Sequence, residues 1–247
     1  MSVVLITGAA KRLGRAIALK LAAEGFDIAV HYRSSKVEAE ALAAEVRSLG
    51  RRAALVEGEL SAEAEVAALV PRAAAALGPL TALVNCASVF EDDRIGTMTR
   101  ASWDKHLETN LRAPLVLSQG FAAQVPSGGE GAIVNIVDQA VLNLTPHFIS
   151  YTVSKAALWT LTQTLAQALA PRIRVNAVAP GPSLKAARQA QANFDAQVQA
   201  TLLKRPSNPA DIAGAVYYLL TAPAVTGQLI AVDSGQHLAW RQDTVFE

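Results

Sequence analysis

Short apolar segments alternate with helical segments along almost the whole chain, and this alternation limits the folds open to it. Most of the apolar runs are too short for helices, and several are apolar at successive positions, which is typical of strands buried on both faces. The runs are Val3–Thr7, Ile28–His31, Ala53–Glu57, Ala82–Asn85, Ala132–Val137, Arg174–Val178 and Leu229–Val232. Segments with helical spacing lie between them: Leu13–Glu24, Val37–Leu49, Ala62–Leu77, Trp103–Ala123, Tyr151–Ala170 and Asp211–Leu220. The pattern predicts an α/β fold with a doubly wound, mostly parallel seven-stranded sheet, helices on both faces and ligands at the carboxyl ends of the strands.

The length and composition favour one domain rather than two. The chain has 247 residues, of which 51% are hydrophobic, and this is enough for a large core. No linker rich in Pro, Gly or Ser divides it, and it contains no internal repeat. Segment 183–204 is rich in Ala and Gln, and it is interpreted either as an ordinary surface helix or as a mobile lid over a site. We therefore predict a single domain over residues 1–247.

The charge and the cysteine count exclude several classes of protein. Lys and Arg total 22 against 21 acidic residues, so a net charge of +1 gives no general electrostatic case for binding nucleic acid or an anionic membrane. The single cysteine, Cys86, excludes an internal disulfide and suits a reducing compartment. No charged leader precedes an apolar region, and no apolar stretch reaches about 18 residues. We expect a soluble, cytoplasmic protein.

Three chemically active side chains are spaced so that they can meet at one point. Asp138 ends the apolar run Ala132–Val137, Tyr151 follows thirteen residues later, and Lys155 lies four residues beyond it. Residues four apart on a helix share a face, so the ammonium of Lys155 is predicted to lower the pKa of the phenol of Tyr151. An acid, a phenol and an ammonium together indicate proton transfer. A Tyr-x-x-x-Lys pair on its own is also common on solvated helix faces.

A glycine-containing loop follows the first apolar run directly. Residues 8–14, Gly-Ala-Ala-Lys-Arg-Leu-Gly, lead from the predicted strand into the first predicted helix. Backbone N–H groups at the positive end of a helix can bind a pyrophosphate. Arg12 stands where such loops often have a third glycine, so it could place a charge at a phosphate or at the substrate, or simply be solvated.

The residues after the second apolar run indicate which dinucleotide would bind. An NAD-preferring fold usually has an Asp or Glu there that binds the ribose 2′-hydroxyl. This chain has Arg33, followed by Ser34 and Ser35. A guanidinium can pair with a 2′-phosphate, which a carboxylate would repel. NADPH is therefore predicted in preference to NADH.

Taken together, these motifs resemble the short-chain dehydrogenase/reductase family across nearly the whole chain. Besides the glycine loop and the Tyr151/Lys155 pair, the resemblance includes Asn85-Cys86-Ala87-Ser88, Asn110, residues 176–181 and residues 232–235. The resemblance implies a Rossmann-type domain, a nicotinamide cofactor and a homodimer or homotetramer, with a homotetramer expected here. It also implies a cofactor half over residues 1–125 and a catalytic and substrate half over 126–247.

One departure points to a particular branch of that family. Most members have serine thirteen residues before the tyrosine, where this chain has Asp138. With the glycine loop, His31-Tyr32-Arg33-Ser34 and Ala87-Ser88-Val89-Phe90, this resembles the pteridine reductases, including bacterial dihydromonapterin and dihydrofolate reductases. In that branch the aspartate takes part in protonation and an aromatic residue matching Phe90 stacks a pterin against nicotinamide. Such stacking contributes about 0.5–1.5 kcal/mol beyond burial. The alternative for Phe90 is a core aromatic.

The resemblance implies a role for each matching residue. The catalytic residues are Asp138, Tyr151, Lys155 and Asn110, of which Asn110 positions a helix kink and a water that links Lys155 to solvent. Cofactor contacts are expected from Thr7, Gly8, Lys11, Arg12, Leu13, Gly14, His31, Tyr32, Arg33, Ser34, Glu59, Leu60, Asn85, Ala87, Ser88, Tyr151, Lys155, Pro180, Gly181 and Ser183. Substrate contacts are expected from Arg12, Ser88, Phe90, Asp138, Tyr151 and Pro182. His147 and Phe148 could also line the pocket, and Arg241 could reach the pocket of a neighbouring subunit.

The leading hypothesis is the NADPH-dependent reduction of a C=N bond in a dihydropterin or dihydrofolate. Two alternatives stay open: a reductase of a ketone such as a 3-oxoacyl thioester or a sugar, and a nucleotide-binding sensor without turnover. The four histidines, at 31, 106, 147 and 237, lack Cys or acidic companions at metal-ligand spacing, so no metal is predicted.

Overall fold

All seven predicted strands lie in one parallel sheet in the computed structural model, which describes residues 2–185 and 189–239. The strands are β1 (Val3–Ile6), β2 (Asp27–Tyr32), β3 (Ala53–Glu57), β4 (Ala82–Asn85), β5 (Gly131–Ile136), β6 (Ile173–Pro180) and β7 (Leu229–Val232). Their order is β3-β2-β1-β4-β5-β6-β7, and every neighbouring pair is parallel. The order reverses between β1 and β4, where Leu5 is in register with Ala29 on one side and Leu83 on the other. In such sheets the crevice outside the strand ends at this reversal is the usual ligand site.

Helices cover both faces of the sheet, as the alternation predicts. They are α1 (Arg12–Ala23), α2 (Lys36–Ser48), α3 (Glu63–Leu77), α4 (Arg100–Leu107), α5 (Ala113–Gln124), α6 (Ile149–Leu169), α7 (Gln191–Ala200) and α8 (Pro209–Thr221). Successive side chains of a strand point to opposite faces. Val4 and Ile6 of β1 therefore pack with α1, α2 and α8, while Val3 and Leu5 pack with α3, α5 and α6. The predicted fold class is confirmed.

The predicted helix over Trp103–Ala123 is interrupted in the structure. Helix α4 ends at Leu107, a π-helical turn spans Glu108–Arg112, and α5 begins at Ala113. Pro114 has no N–H to donate to the carbonyl four residues earlier, so regular α-helical bonding cannot continue through Asn110. The predicted segment is therefore helical throughout, with a π-helical turn at Asn110, and Pro114 is the sequence signal for that turn.

The 183–204 segment contains helix α7, which covers the carboxyl end of the sheet. Its residues 186–188 lie outside the described residues, as does Arg241. A mobile lid in this segment stays a prediction. Among residues 2–185 and 189–239, none of the helices combines the length and the apolarity needed to cross a membrane.

Candidate active site

A cavity of about 820 Å³ lies at the carboxyl ends of the central strands. Its wall includes the glycine loop, the residues after β2 and β4, the start of α6 and one face of α7. The lining residues are Gly8, Ala10–Gly14, Tyr32–Ser35, Cys86–Ser88, Phe90, Ile136–Ala140, Thr145, His147, Phe148, Tyr151, Thr152, Lys155, Pro180–Leu184, Gln189, Phe194, Gln197 and Gln236. The volume is in the upper part of the range for small-molecule and cofactor sites.

The three predicted proton-transfer groups meet in this cavity. The phenol of Tyr151 donates a hydrogen bond of 2.7 Å to Oδ2 of Asp138, whose Oδ1 accepts the N–H of Ala140 at 2.8 Å. The ammonium of Lys155 donates to the carbonyl of Ile136 at 2.8 Å and lies 5.8 Å from the centre of the Tyr151 ring. Asp138 reaches the site from the end of β5, and the other two groups come from the first turns of α6.

Burial and the neighbouring carboxylate, and not the ammonium, set the acidity of the phenol. Burial, then the charge of Asp138 and its hydrogen bond, raise the pKa of Tyr151 well above its ordinary value. The prediction that Lys155 lowers the pKa of Tyr151 is therefore wrong for this arrangement, because the anion lies closer to the hydroxyl. Burial also raises the pKa of Asp138, and burial lowers the pKa of Lys155 to about 8. Tyr151 thus keeps its proton at neutral pH and can act as an acid.

Asn110 lies fully buried in the π-helical turn and joins two walls of the site. Its side-chain oxygen accepts from the N–H of Val89 at 2.8 Å and from the hydroxyl of Ser88 at 3.2 Å. Its amide nitrogen donates to the carbonyl of Val89 and to the hydroxyl of Ser154, each at 3.0 Å. These four bonds tie the loop after β4 to α6 next to Lys155. The predicted helix irregularity at Asn110 is the π-helical turn itself.

Two aromatic rings form one side of the substrate end. Phe90 is 47% exposed, stacks on Phe148 with ring centres 4.6 Å apart and meets Tyr151 edge-on at 4.7 Å. The exposure rules out the alternative of a core aromatic. Phe148 has φ of +55°, in the left-handed region, immediately before α6. A flat apolar face therefore stands beside the phenol and the carboxylate.

The glycine loop is held close to the strand ends. Gly8 has φ of +64°, and a Cβ at Gly14 would lie 2.3 Å from the carbonyl oxygen of Gly8. Neither position therefore accepts a larger residue without a shift of backbone. Beyond the loop, α1 presents its N-terminus to the cavity, and this backbone fits the phosphates of a dinucleotide.

Five of the predicted cofactor-contacting residues do not line the cavity: Thr7, His31, Glu59, Leu60 and Asn85. The hydroxyl of Thr7 accepts the N–H groups of Cys86 and Ala87 at 2.9 and 3.0 Å, which fastens the end of β4 to β1. His31 accepts the N–H of Gly8 at Nδ1 and lies 3.0 Å from the carbonyl of Gly58 at Nε2. Burial lowers the pKa of His31 to about 4, so the ring is neutral. These side chains support the wall from behind.

Three more of these predicted cofactor contacts, Leu60, Asn85 and Glu59, lie behind the cavity wall or beside it. Leu60 is 7% exposed and packs in the core. The amide of Asn85 donates to Asn135 between β4 and β5 at 2.8 Å. Glu59 lies next to the cavity and pairs with Arg33 at 3.4 Å.

Arg12 links the glycine loop to the 183–204 segment. It has φ of +53°, which explains why loops of this kind often have glycine at this position. Its guanidinium donates to the carbonyl oxygens of Leu184 at 2.8 Å and Lys185 at 3.0 Å. Arg12 is exposed to solvent, and it also bonds to this segment.

Cationic and hydroxyl side chains surround the end of the cavity near β2. Arg33 is 62% exposed, and Ser34 and Ser35 adjoin it on the wall. Lys11 pairs with Glu38 at 2.6 Å at the same end. The predicted contacts Leu13, Tyr32, Ala87, Ser88, Pro180, Gly181, Pro182 and Ser183 also line the cavity.

Several lining residues were not predicted from the sequence: Gln139, Thr145, Thr152, Leu184, Gln189, Phe194, Gln197 and Gln236. Gln139 and Thr152 directly follow Asp138 and Tyr151, so the position of those two site residues could have indicated that the next residues also line the cavity. Phe194 and Gln197 are three apart on α7 and share a face, but no local pattern says which surface that face covers. Within the described residues, no group of three or more His, Cys, Asp and Glu could hold a metal ion.

Comparison with known proteins gives matches that are reductases with different substrates. Residues 8–237 match the family model described as enoyl-(acyl carrier protein) reductase. The 3-oxoacyl-[acyl-carrier-protein] reductase FabG of Staphylococcus epidermidis is 33% identical over 95% of this chain and 98% of its own length. A short-chain type dehydrogenase/reductase of Picea abies is 32% identical over 95% of this chain and 92% of its own length.

A solved structure is more similar still. The crystal structure of FolM alternative dihydrofolate reductase 1 from Brucella canis, complexed with NADP, is 43% identical. It superimposes with a TM-score of 0.95 over 99% of this chain and 97% of that one. This chain therefore belongs to the short-chain dehydrogenase/reductase family, and its resemblance to the pteridine reductase branch extends to the level of structure.

Proposed function

We propose that this protein is an NADPH-dependent reductase of a C=N bond in a dihydropterin or dihydrofolate. The observation that carries the proposal is the hydrogen bond between Tyr151 and Asp138 at the cavity wall, next to the exposed ring of Phe90. A ketone needs one hydroxyl partner for its oxygen. A pterin has an edge of donors and acceptors that a carboxylate can engage, and a ring nitrogen that must receive a proton. The similarity to the dihydrofolate reductase of Brucella canis supports the same substrate class.

The cofactor assignment rests on the glycine loop and on Arg33. When bound, NADPH would supply the hydride. The backbone of residues 8–14 would hold the phosphates, and Arg33 with Ser34 would hold the 2′-phosphate. Lys155 would hold the nicotinamide ribose. The NADP present in the Brucella canis structure supports this choice.

Tyr151 and Asp138 would deliver the proton that completes the reduction. As the hydride adds to carbon, the adjacent nitrogen takes a proton from the hydroxyl of Tyr151. Asp138, whose pKa is raised by burial, would then return a proton to the phenolate from solvent. The ammonium of Lys155 would offset the negative charge that forms on this pair. Phe90 would stack on the ring and fix its orientation.

Reduction of a 3-oxoacyl thioester is the second candidate, because the FabG of Staphylococcus epidermidis is 33% identical over nearly the whole chain. Tyr151 and Lys155 would serve that reaction equally well. Asp138 would then replace the usual serine as the partner of the ketone oxygen. This oxygen gains negative charge during reduction, and a buried carboxylate beside it would repel that charge.

A substrate panel separates these functions. NADPH oxidation is followed with dihydrobiopterin, dihydromonapterin, dihydrofolate and an acetoacetyl thioester at equal concentrations. We expect kcat/KM for the best pterin or folate to exceed that for the thioester by at least about tenfold. A preference for the thioester would assign the second function. NADPH binding without oxidation by any compound would favour a sensor.

Arg33→Ala should change the choice of cofactor. Loss of a charge-assisted contact of about 1.5–3 kcal/mol predicts a fall of roughly 10- to 100-fold in kcat/KM for NADPH, with little change for NADH. Both values are measured at saturating pterin. Arg100→Ala is the control, because this arginine lies on α4, pairs with Asp104 and does not line the cavity. Equal use of NADPH and NADH by the wild type would refute the assignment.

The family resemblance further supports a homotetramer, and the single cysteine, Cys86, suits a location in the cytoplasm. Sedimentation or light scattering of the purified protein tests the tetramer directly.

A further inference from the structure

Helix α6 carries Tyr151 and Lys155, yet its own sequence supplies no cap for its first turn. The residue before the helix is Phe148, which has no side-chain acceptor and lies in the left-handed region at φ +55°. The first N–H groups of a helix have no partner within the helix, and a buried helix start requires one from elsewhere. The positions concerned, Ile149 and Ser150, directly precede the proton donor.

Asp93, from the loop after β4, supplies these partners across the fold. Its carbonyl oxygen accepts the N–H of Ile149 at 3.2 Å, and its Oδ1 accepts the N–H of Ser150 at 3.0 Å. Its Oδ2 accepts the hydroxyls of Ser150 and of Ser102, the latter at 3.1 Å. Asp93 is 3% exposed and does not line the cavity. Burial raises the pKa of this carboxyl, but the hydrogen bonds from Ser150 and Ser102 outweigh it and hold the pKa below its usual value.

His106, on α4, completes the same buried network. Its Nε2 accepts the N–H of Glu91 at 3.2 Å, so the proton is assigned to Nδ1. Nδ1 lies 2.8 Å both from the carbonyl of Ser102 and from the hydroxyl of Ser150. The ring is fully buried and faces Tyr151 edge-on, with centres 6.3 Å apart.

The network joins the two parts of the cavity wall that a substrate would contact. Phe90 stands three residues before Asp93 and one before Glu91 on the same loop, while Tyr151 directly follows Ser150. A shift of this loop relative to α6 would therefore change the spacing between the stacking ring and the phenol. A misplacement of about 1 Å can lower turnover by roughly 100-fold.

We propose that Asp93 is a positioning residue that, through Ser150 and His106, sets the distance between Phe90 and Tyr151. The inference rests on the proposed function only for the identity of the flat substrate, because either candidate reaction needs Tyr151 in place. A carboxylate suits this position because it accepts several hydrogen bonds at once at the positive end of a helix.

The test compares Asp93→Ala and Asp93→Asn with the control Asp92→Asn, which changes the neighbouring surface acid that pairs with Arg94. Fluorescence titration with NADPH gives the number of competent sites and the Kd, and turnover is expressed per NADPH site. We expect Asp93→Ala to lower kcat per site by about 10- to 100-fold and to raise the KM for the pterin. The Kd for NADPH should stay within about twofold of wild type. Asp93→Asn should recover part of the activity, because its amide oxygen can still accept the N–H of Ser150.

A purely structural role makes a different prediction. It would reduce the number of NADPH sites and leave turnover per site equal to that of Asp92→Asn, which would overturn the proposal. If Asp93→Ala does not fold, Asp93→Asn and Ser150→Ala replace it, and wild-type turnover per site in both would also overturn the proposal. The wild type is assayed in parallel with a dihydropterin and an acetoacetyl thioester. If it reduces only the thioester, the proposed function fails, and the turnover of the Asp93 variants is then measured with the thioester as substrate.

Discussion

Replacement of Tyr151 by Phe is expected to lower kcat for pterin reduction by about 10²- to 10⁴-fold. The change removes only the hydroxyl, which donates to Asp138 at 2.7 Å, and keeps the ring that meets Phe90. The nitrogen of the substrate then lacks its proton donor, while the glycine loop and Arg33 are untouched. Steady-state kinetics should show the fall in kcat, and fluorescence titration should give a Kd for NADPH within about twofold of wild type.

Tyr218→Phe is the matched control, since this tyrosine is 52% exposed on α8 and is not part of the cavity wall. It should behave as wild type in both measurements. Turnover by Tyr151→Phe at more than about a third of the wild-type rate would remove Tyr151 from the mechanism, because a general acid contributes far more than that.

The fold could be predicted from the sequence because its strands are buried on both faces. Such strands are apolar at successive positions, as in Val3–Ile6, where alternate residues pack on opposite helix layers. The irregularity at Asn110 was expected from the family resemblance and not from the periodicity, because the apolar spacing of the flanking helices continues through it. Only Pro114 indicates the interruption, and a proline in the first turn of a helix is also a normal helix start.

The meeting of Asp138 and Tyr151 could likewise be predicted, since a strand end and the start of the next helix lie at the same edge of a parallel sheet. The acidity of the phenol of Tyr151 could not be predicted from the sequence. It depends on distances that spacing along the chain does not give: Asp138 is hydrogen-bonded to the hydroxyl, whereas the ammonium of Lys155 is directed to the carbonyl of Ile136. A four-residue separation establishes a shared helix face and no more.

Residues behind the cavity wall had no sequence signal for their roles. Asp93 and Ser150 are far apart in the chain, as are Gly8 and His31, and only tertiary hydrogen bonds join each pair. His31 was predicted to touch the cofactor from the family resemblance. In the structure its ring turns inward to the loop and not outward to the cavity.

Asp138→Ser should separate the two candidate substrates most strongly. In the wild type, Asp138 accepts the N–H of Ala140 and caps the short helix that begins at Gln139. Serine is also a good cap residue, so we expect the variant to keep this helix. The variant keeps a hydroxyl for a ketone oxygen but loses the carboxylate that would engage a pterin and return its proton. We expect kcat/KM for dihydropterin to fall by at least about 100-fold, and that for an acetoacetyl thioester to stay equal or rise.

The pH dependence of the same variant gives an independent check on the role of the carboxylate. The charge of Asp138 and its hydrogen bond help to raise the pKa of Tyr151, so their removal should let that pKa fall. The reaction needs the protonated phenol and the ammonium of Lys155, whose pKa of about 8 is also held up by the charge of Asp138, so the rate is lost as the pH rises through these two pKa values. The alkaline limb of kcat, measured with the thioester, should therefore move to lower pH in Asp138→Ser than in wild type. Asp104→Asn, a change in a surface pair on α4, should leave the profile unchanged. An unshifted limb together with undiminished pterin turnover would show that Asp138 takes no part in proton transfer, and the Tyr151–Asp138 hydrogen bond would then no longer support the choice of a pterin over a ketone.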